Sequence, residues 1–579
     1  HHAAGLRDRR ARPGRQLLFD ALPTVQTNGV VWSMVTVGNT VYAPGSFTTA
    51  TPAGGGAGTP RANLLAFDIR TGALIPGFDH RLNGQGRIVV ASPDGSRIYV
   101  GGDFTTVDGI ARGHIAAFDV ATGALVPGFA PTTNQAVYSI AATGSTVYAG
   151  GRFTSAGGQT RTRLAAFSAS NGALTSWAPT ADNTVRGIVV DPTGTRVVVA
   201  GQFGRVNGVT AYSIASVDTA GGDAKSQPWG INNTGDPAGA WSLKMYGGVA
   251  YASVYAYQIG NVEGVVAFDP TTLDLVWMSD CHGDPYDTWA DGTVLYNANH
   301  AHDCETAGSF PDPNPRTWQR AVAMTVAATG TLKATTDLPR YTSWEGRPSP
   351  TILHFWPTLN AGTYTQQFQG PWSVTGAGDY VVFGGEFTSV NGRAQSGLVR
   401  FARPTVAPND RGPELTAAQM RPQATSINAG EVTVRYPSSY DMDDSSLTYQ
   451  VFRNGGTTPV HTATVESAWW QRPAQQFTDT AQPGSTASYR VTVTDPYGNV
   501  VTSSPSNTVQ VAAATSAYAR GVLADGPAQY WRVGEPTGTT SFDQVGTTSL
   551  TTGTGVGRGA AGAVPGDTAV TTDGTAAGL

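Results

Sequence analysis

Short apolar runs bounded by turn residues fill the first 400 positions of the chain, while the 3.6-residue period of an amphipathic helix is nearly absent. Runs such as RIYV (Arg97–Val100), TVYA (Thr146–Ala149), RVVV (Arg196–Val199) and YVVF (Tyr380–Phe383) each lead into one motif: a small residue, Gly, any residue, Phe. It appears as GGDF (Gly101–Phe104), GGRF (Gly150–Phe153), AGQF (Ala200–Phe203) and GGEF (Gly384–Phe387), with APGSF (Ala43–Phe47) as a first variant. An alternating run precedes each motif and another follows, and the turns between them are glycine-centred, as at Asp94-Gly95, Thr122-Gly123 and Asn171-Gly172. Three to four short strands repeated about every fifty residues predict an all-β propeller.

Counting the copies predicts seven blades. Phe47, Phe104, Phe153 and Phe203 are spaced by 57, 49 and 50 residues; degenerate copies follow around Val254–Tyr257 and Val294–His300, and Phe387 marks the last. The last copy stops at Pro404 without a fourth strand, and Gln16–Leu22 is expected to supply it, closing the ring from both ends. The paired glycines are expected where backbones converge too closely for a Cβ, and each Phe as a wedge in the core between neighbouring sheets.

Composition narrows the function classes. Only 13 % of the residues are charged and the net charge is −5, so no basic field for nucleic acid exists. No apolar stretch reaches the length of a membrane span, no basic, apolar leader opens the chain at His1, and the absence of an initiator Met is expected of a processed or partly built polypeptide. Catalytic signatures such as Gly-x-Ser-x-Gly, HExxH or a phosphate-binding glycine loop are missing.

Cys281 and Cys304 flank a predicted hairpin, Tyr286–Ala290 and Val294–His300, which sets them opposite each other. A disulfide is expected, and with it an oxidising, extracytoplasmic setting; a metal-thiolate pair is the alternative. Beside the cysteines stand His282, Asp284, His300, His302 and Asp303 in the strings CHGDPYD and NHAHDC. His300 and His302 share a strand face, and two imidazoles so spaced can hold a divalent metal ion with a carboxylate. Structural histidines bonding to loop carbonyls are the rival reading. Propeller topology puts the cysteines, the insertion Phe310–Trp318 and the connection Tyr341–Trp372 on one rim, which presents Tyr341, Trp344, His354, Phe355, Trp356 and Trp372. Such a rim suits glycan or peptide binding, or else packs as a small core of its own. A glycosidase would draw its two carboxylates from Asp284, Asp303 or Glu345.

After the Pro-rich linker 405–413, the alternating runs EVTVRY, LTYQVFR and ASYRVTVTD predict an immunoglobulin-like sandwich over 414–513. Asp441, Asp443 and Asp444 are candidate calcium ligands there, with a solvated turn as the alternative. Trp469 and Trp470 are expected to cap its core.

CHGDPYD, HAHDC, the string from LHFWPTLNAG to GLVRFA and the repeated GGxF resemble the propeller of secreted actinobacterial surface proteins, which couple such propellers to immunoglobulin-like and laminin-G-like modules. The stretches DMDDSSLTYQVFRNG and YRVTVTDPYGN resemble fibronectin type III and polycystic-kidney-disease-type domains, and YARGVLADGPAQYWRVGEPTGTTSFDQVG resembles the opening strand and turn of a laminin-G or concanavalin A-like jelly roll, with Tyr530-Trp531 as buried strand residues, begun at 517–579 but too short to close. That shortfall predicts a chain continuing beyond Leu579 or pairing with another copy. The resemblance implies tail 1–15, propeller 16–404, sandwich and partial jelly roll, displayed outside the cell. It implies a binding or structural role toward glycan or surface-protein partners, including self-assembly; an extracellular carbohydrate-active enzyme is the alternative.

Overall fold

The computed structural model describes residues 17–564 and 567–574; the tail 1–15, Gln16 and the last five residues of the expected jelly roll lie outside the described residues. The fold is all-β and divides into two compact units, His1–Pro408 and Asn409–Leu579.

The first unit is a propeller-like succession of antiparallel sheets, each running up, down and up in chain order. Gly86–Ala91, Arg97–Gly102 and Ile115–Asp119 form the second of these; Val137–Ala142, Thr146–Gly151 and Leu164–Ser168 form the third. The fourth and fifth gain a fourth strand, Ala224–Ser226 and Leu275–Met278. The first strand of each sheet packs on the first strand of the next, and that of the last sheet, Pro371–Ala377, returns to Val35–Val37 of the first. The expected closure by the N-terminal segment is present: Leu18 N–H and Leu22 N–H donate to the carbonyls of Ala402 and Arg400 at 3.0 and 2.9 Å.

Close approach explains the glycines. A Cβ on Gly102 would sit 2.1 Å from the carbonyl oxygen of Gln85, and one on Gly385 2.2 Å from that of Gly370, nearer than any side chain tolerates. The adjoining phenylalanines Phe104, Phe153, Phe203 and Phe387 are fully buried, so the motif is spent on packing.

In the second unit, Gln423–Thr425, Glu431–Tyr436 and Gln475–Thr480 form one sheet, and His461–Glu466, Ser446–Arg453, Tyr489–Thr494 and Val500–Thr502 another. Alternate residues of both, among them Val432, Val434, Tyr449, Val451, Val491 and Val493, meet in a single core. Trp469 and Trp470 sit in a turn bridged by Ala468 and Gln471, packing on each other at 4.9 Å and outside that core. The stretch expected to open the jelly roll begins with an α-helix, Ala517–Ala524: Ser516 caps it by accepting from Ala519 N–H, and Ala and Leu favour it. Tyr530 and Trp531, expected as buried strand residues, are half-buried, and Trp531 makes only an isolated bridge to Asp543. Two small hairpins follow, Thr540–Ser541 with Leu550–Thr551 and Val556–Ala561 with Thr568–Thr572.

Candidate functional site

Chemistry gathers where the repeat breaks down, in the fifth and sixth sheets. The fifth is Ala238–Tyr246, Val249–Ala256, Gly264–Phe268 and Leu275–Met278; the sixth is Pro285–Ala290, Val294–Ala301 and Gln319–Thr325. Cys281 and Cys304 are joined in a disulfide with Cα atoms 4.3 Å apart, bracketing the hairpin as the sequence predicts.

Beside the disulfide opens a cavity of about 470 Å³, walled by the loop 256–263, Asp280 and residues 340–342. Its polar floor is unusual. Glu263 Oε2 accepts from Gly283 N–H at 2.7 Å, and burial next to the Asp284 carboxylate pushes the Glu263 carboxyl up to about 7. Burial likewise raises Asp280 to about 7 and Asp284 to about 6. His282 Nδ1 bonds to Asp303 Oδ2 at 2.9 Å, while its Nε2 lies 3.9 Å from Asp280 Oδ2. Burial opposes a charge on His282, but the bond to Asp303 and the nearby Asp280 outweigh it and hold the imidazole above its usual value. The Tyr341 ring stacks on His282, centroids 3.6 Å apart and planes within 6°, which fixes one wall of the cavity.

The five residues expected to share a metal ion do not converge. His300 turns away to Tyr286, its Nδ1 2.7 Å from the hydroxyl, and burial drops it to about 4; His302 Nδ1 faces Asp312 at 3.4 Å and is also lowered by burial to about 4. Among the described residues the single group of three or more ligand-type side chains within 4.8 Å of one another is Asp441, Asp444 and Asp495. Two of the three expected calcium ligands are therefore together. Asp443 gives way to Asp495, whose position in the distant string TDPYGN is brought alongside by sheet pairing. Asp444 Oδ2 is buried with no hydrogen-bond partner, and burial beside the other two carboxylates raises Asp444 to about 7. Three hard oxygen donors fit Ca²⁺.

The aromatic rim corrects differently. Trp344, Phe355, Trp356 and Trp372 are buried: Trp344 joins the core of the fourth and fifth sheets, Phe355 that of the sixth and seventh, and Trp372 lies in the first strand of the seventh sheet. Trp344 Nε1 donates to Asn261 O at 2.8 Å, Phe355 packs edge-on against Tyr296 and Phe401, and Trp356 against Phe310. His354, half-buried, lies 5.9 Å from Trp356. Of the six, only Tyr341 reaches the cavity. Glu345 is exposed outside it. Glu263 and Asp280 were missed: each is a lone acid whose burial depends on contacts distant in sequence.

No helix among the described residues is long and apolar enough to cross a membrane. The sequence matches no protein-family model and no curated protein. Among solved structures, the computationally designed Ika8 protein aligns over 67% of this chain and 100% of its own at 13% identity, with a TM-score of 0.36. The WD40 repeats of RRP9 cover 66% and 99% at 8% identity and a TM-score of 0.39. The extracellular domain of the one-component system BT4673 from B. thetaiotaomicron covers 86% and 58% at 10% identity and a TM-score of 0.35.

Proposed function

We propose that the protein is an extracellular binding protein: a seven-bladed propeller whose rim cavity takes a glycan, followed by an immunoglobulin-like spacer and the beginning of a laminin-G-like module. The observation that carries this reading is the cavity itself, about 470 Å³ with a stacked tyrosine for one wall and partly protonated carboxylates for a floor. A flat ring offers area to a sugar face at little entropic cost, while carboxyls near neutrality both donate to and accept from hydroxyls. The disulfide and the low charge of the chain support an extracytoplasmic location. A glycan array tests it: binding that Tyr341→Ala abolishes supports the reading, and no glycan bound, or binding indifferent to Tyr341, contradicts it.

A second reading is favoured by one feature, two carboxyls held near 7 on the same cavity, Glu263 and Asp280. A glycosidase needs such a protonated acid. Release of reducing ends from the bound glycan, lost in Glu263→Gln, would move the protein from lectin to hydrolase. We also propose that Asp441, Asp444 and Asp495 hold a calcium ion that stiffens the spacer.

A further inference from the structure

The first strands that meet at the centre of the first unit share a device. In each of six sheets the pairing of the first strand with the second slips by one residue, and the extra residue is Arg87, Tyr138, Arg186, Trp241, Tyr286 or Trp372. A bulge of this kind re-aims a side chain away from its sheet. All six line one central cavity of about 60 Å³, and Trp32 of the first sheet joins them.

The ring so formed has two unlike halves. On one side Trp241, Tyr286 and Trp372 pack together with centroids 4.3 to 5.8 Å apart, and Trp32 adds to them at 5.1 Å from Trp372. On the other side stand guanidinium groups. Arg186 lies 4.1 Å over Trp241 and 5.3 Å from Tyr138, Arg87 4.8 Å over Trp32, and Arg152 5.5 Å from Tyr138. Arg87 has a counter-ion, Asp103 at 2.8 Å. Among the described residues, Arg186 and Arg152 have no carboxylate partner, and Arg186 Nε is buried with no hydrogen bond at all. Aromatic faces soften the cost of a cation but leave its N–H donors unmet. Burial pulls the Arg186 pKa downward, and the neighbouring Arg152 and Arg87 add to that fall. Asp287 also lines the cavity, but its carboxylate faces Lys244 at 3.6 Å and accepts from Ser373 and Val374, so it is spent elsewhere and Arg186 is left without a counter-ion. A plug would need no guanidinium; an anion receptor would.

We propose that this axial ring is a second ligand site, distinct from the rim cavity, that takes a ring-bearing carboxylate: the acid group beside Arg186 and the ring against Trp241 and Trp32. The guanidinium fork matches a carboxylate through two parallel hydrogen bonds. The cavity admits a group of that size and no whole sugar, so the ring of the ligand stays at its mouth on the partly exposed indoles.

Titration calorimetry of the full chain with sodium glucuronate, with glucose and with sodium sulfate at matched ionic strength tests it. Glucuronate is expected to bind saturably, glucose not, sulfate more weakly, and Arg186→Gln to weaken glucuronate by about tenfold or more. A crystal of the unaltered chain grown with glucuronate gives a second readout independent of that variant's folding, with the carboxylate expected within hydrogen-bond reach of Arg186. No saturable glucuronate binding, equal binding of glucose or sulfate, binding unchanged in Arg186→Gln, or the carboxylate seated elsewhere overturns the proposal.

Discussion

The second and fifth sheets of the first unit are built on one register and put it to opposite uses. In the second, Gly101 and Gly102 lie across from the bulge at Arg87, and Phe104, two positions on, fills the wedge. In the fifth, Ser253 and Val254 take the glycine positions across from Trp241, and the place of the phenylalanine falls to Ala256. Ala256 lines the rim cavity. Where the repeat is kept, its residues are consumed by packing; where it lapses, a side chain is missing and the rim cavity opens. The sixth sheet continues the lapse with Ala298 and Asn299, and the disulfide holds the segment that the lost motif no longer anchors.

Breaking that replacement anchor should have the largest effect. Cys281→Ser with Cys304→Ser frees a 23-residue separation and is expected to cost about 3 kcal/mol, measured by denaturant unfolding of the first unit. In the regular sheets the glycines should be nearly as sensitive. Gly385→Ala drives a Cβ into the Gly370 carbonyl and is expected to cost about 2 kcal/mol, although it adds a single methyl group. A loss within experimental error would show that the pair is not there for close approach.

The second unit offers a smaller, pH-dependent contrast. Asp444 is raised from 3.8 to about 7, so with chelator present its contribution to stability is complete below about 3.8 and is lost as the pH rises through 7. Asp444→Asn should therefore stabilise the chelated protein by about 1 kcal/mol at pH 8 and by little at pH 4. Calcium should reverse the ranking by stabilising the unaltered chain alone. A thermal scan at the two pH values, with and without calcium, checks both signs.

The repeat made the fold legible. Strand order, the buried phenylalanines, the closing segment at Leu18–Leu22 and the Cys281–Cys304 bond all follow from local grammar in the sequence. The sites were only half legible because burial of a lone polar residue is decided by distant contacts. Tyr341 lines the cavity with His282 stacked behind it, while Trp356 meets Phe310 of the insertion as the rival reading of the rim allowed, a choice that local sequence could not make. The axial ring left a faint trace, the pairs Trp32-Ser33, Tyr138-Ser139, Trp241-Ser242 and Trp372-Ser373 at matching points of successive repeats. It becomes visible only when the copies are aligned on their bulges. At Tyr530-Trp531, resemblance suggested buried strand residues where both side chains are half-buried, since no strand among the described residues extends the Trp531–Asp543 bridge into a sheet.

The claim that a lapse in the repeat creates the binding site is tested most directly by restoring the repeat. Ala256→Phe returns the missing wedge to the fifth sheet. Measured glycan binding should be abolished while the unfolding midpoint stays at or above that of the unaltered chain. Binding that survives the substitution intact in a folded protein would contradict the account.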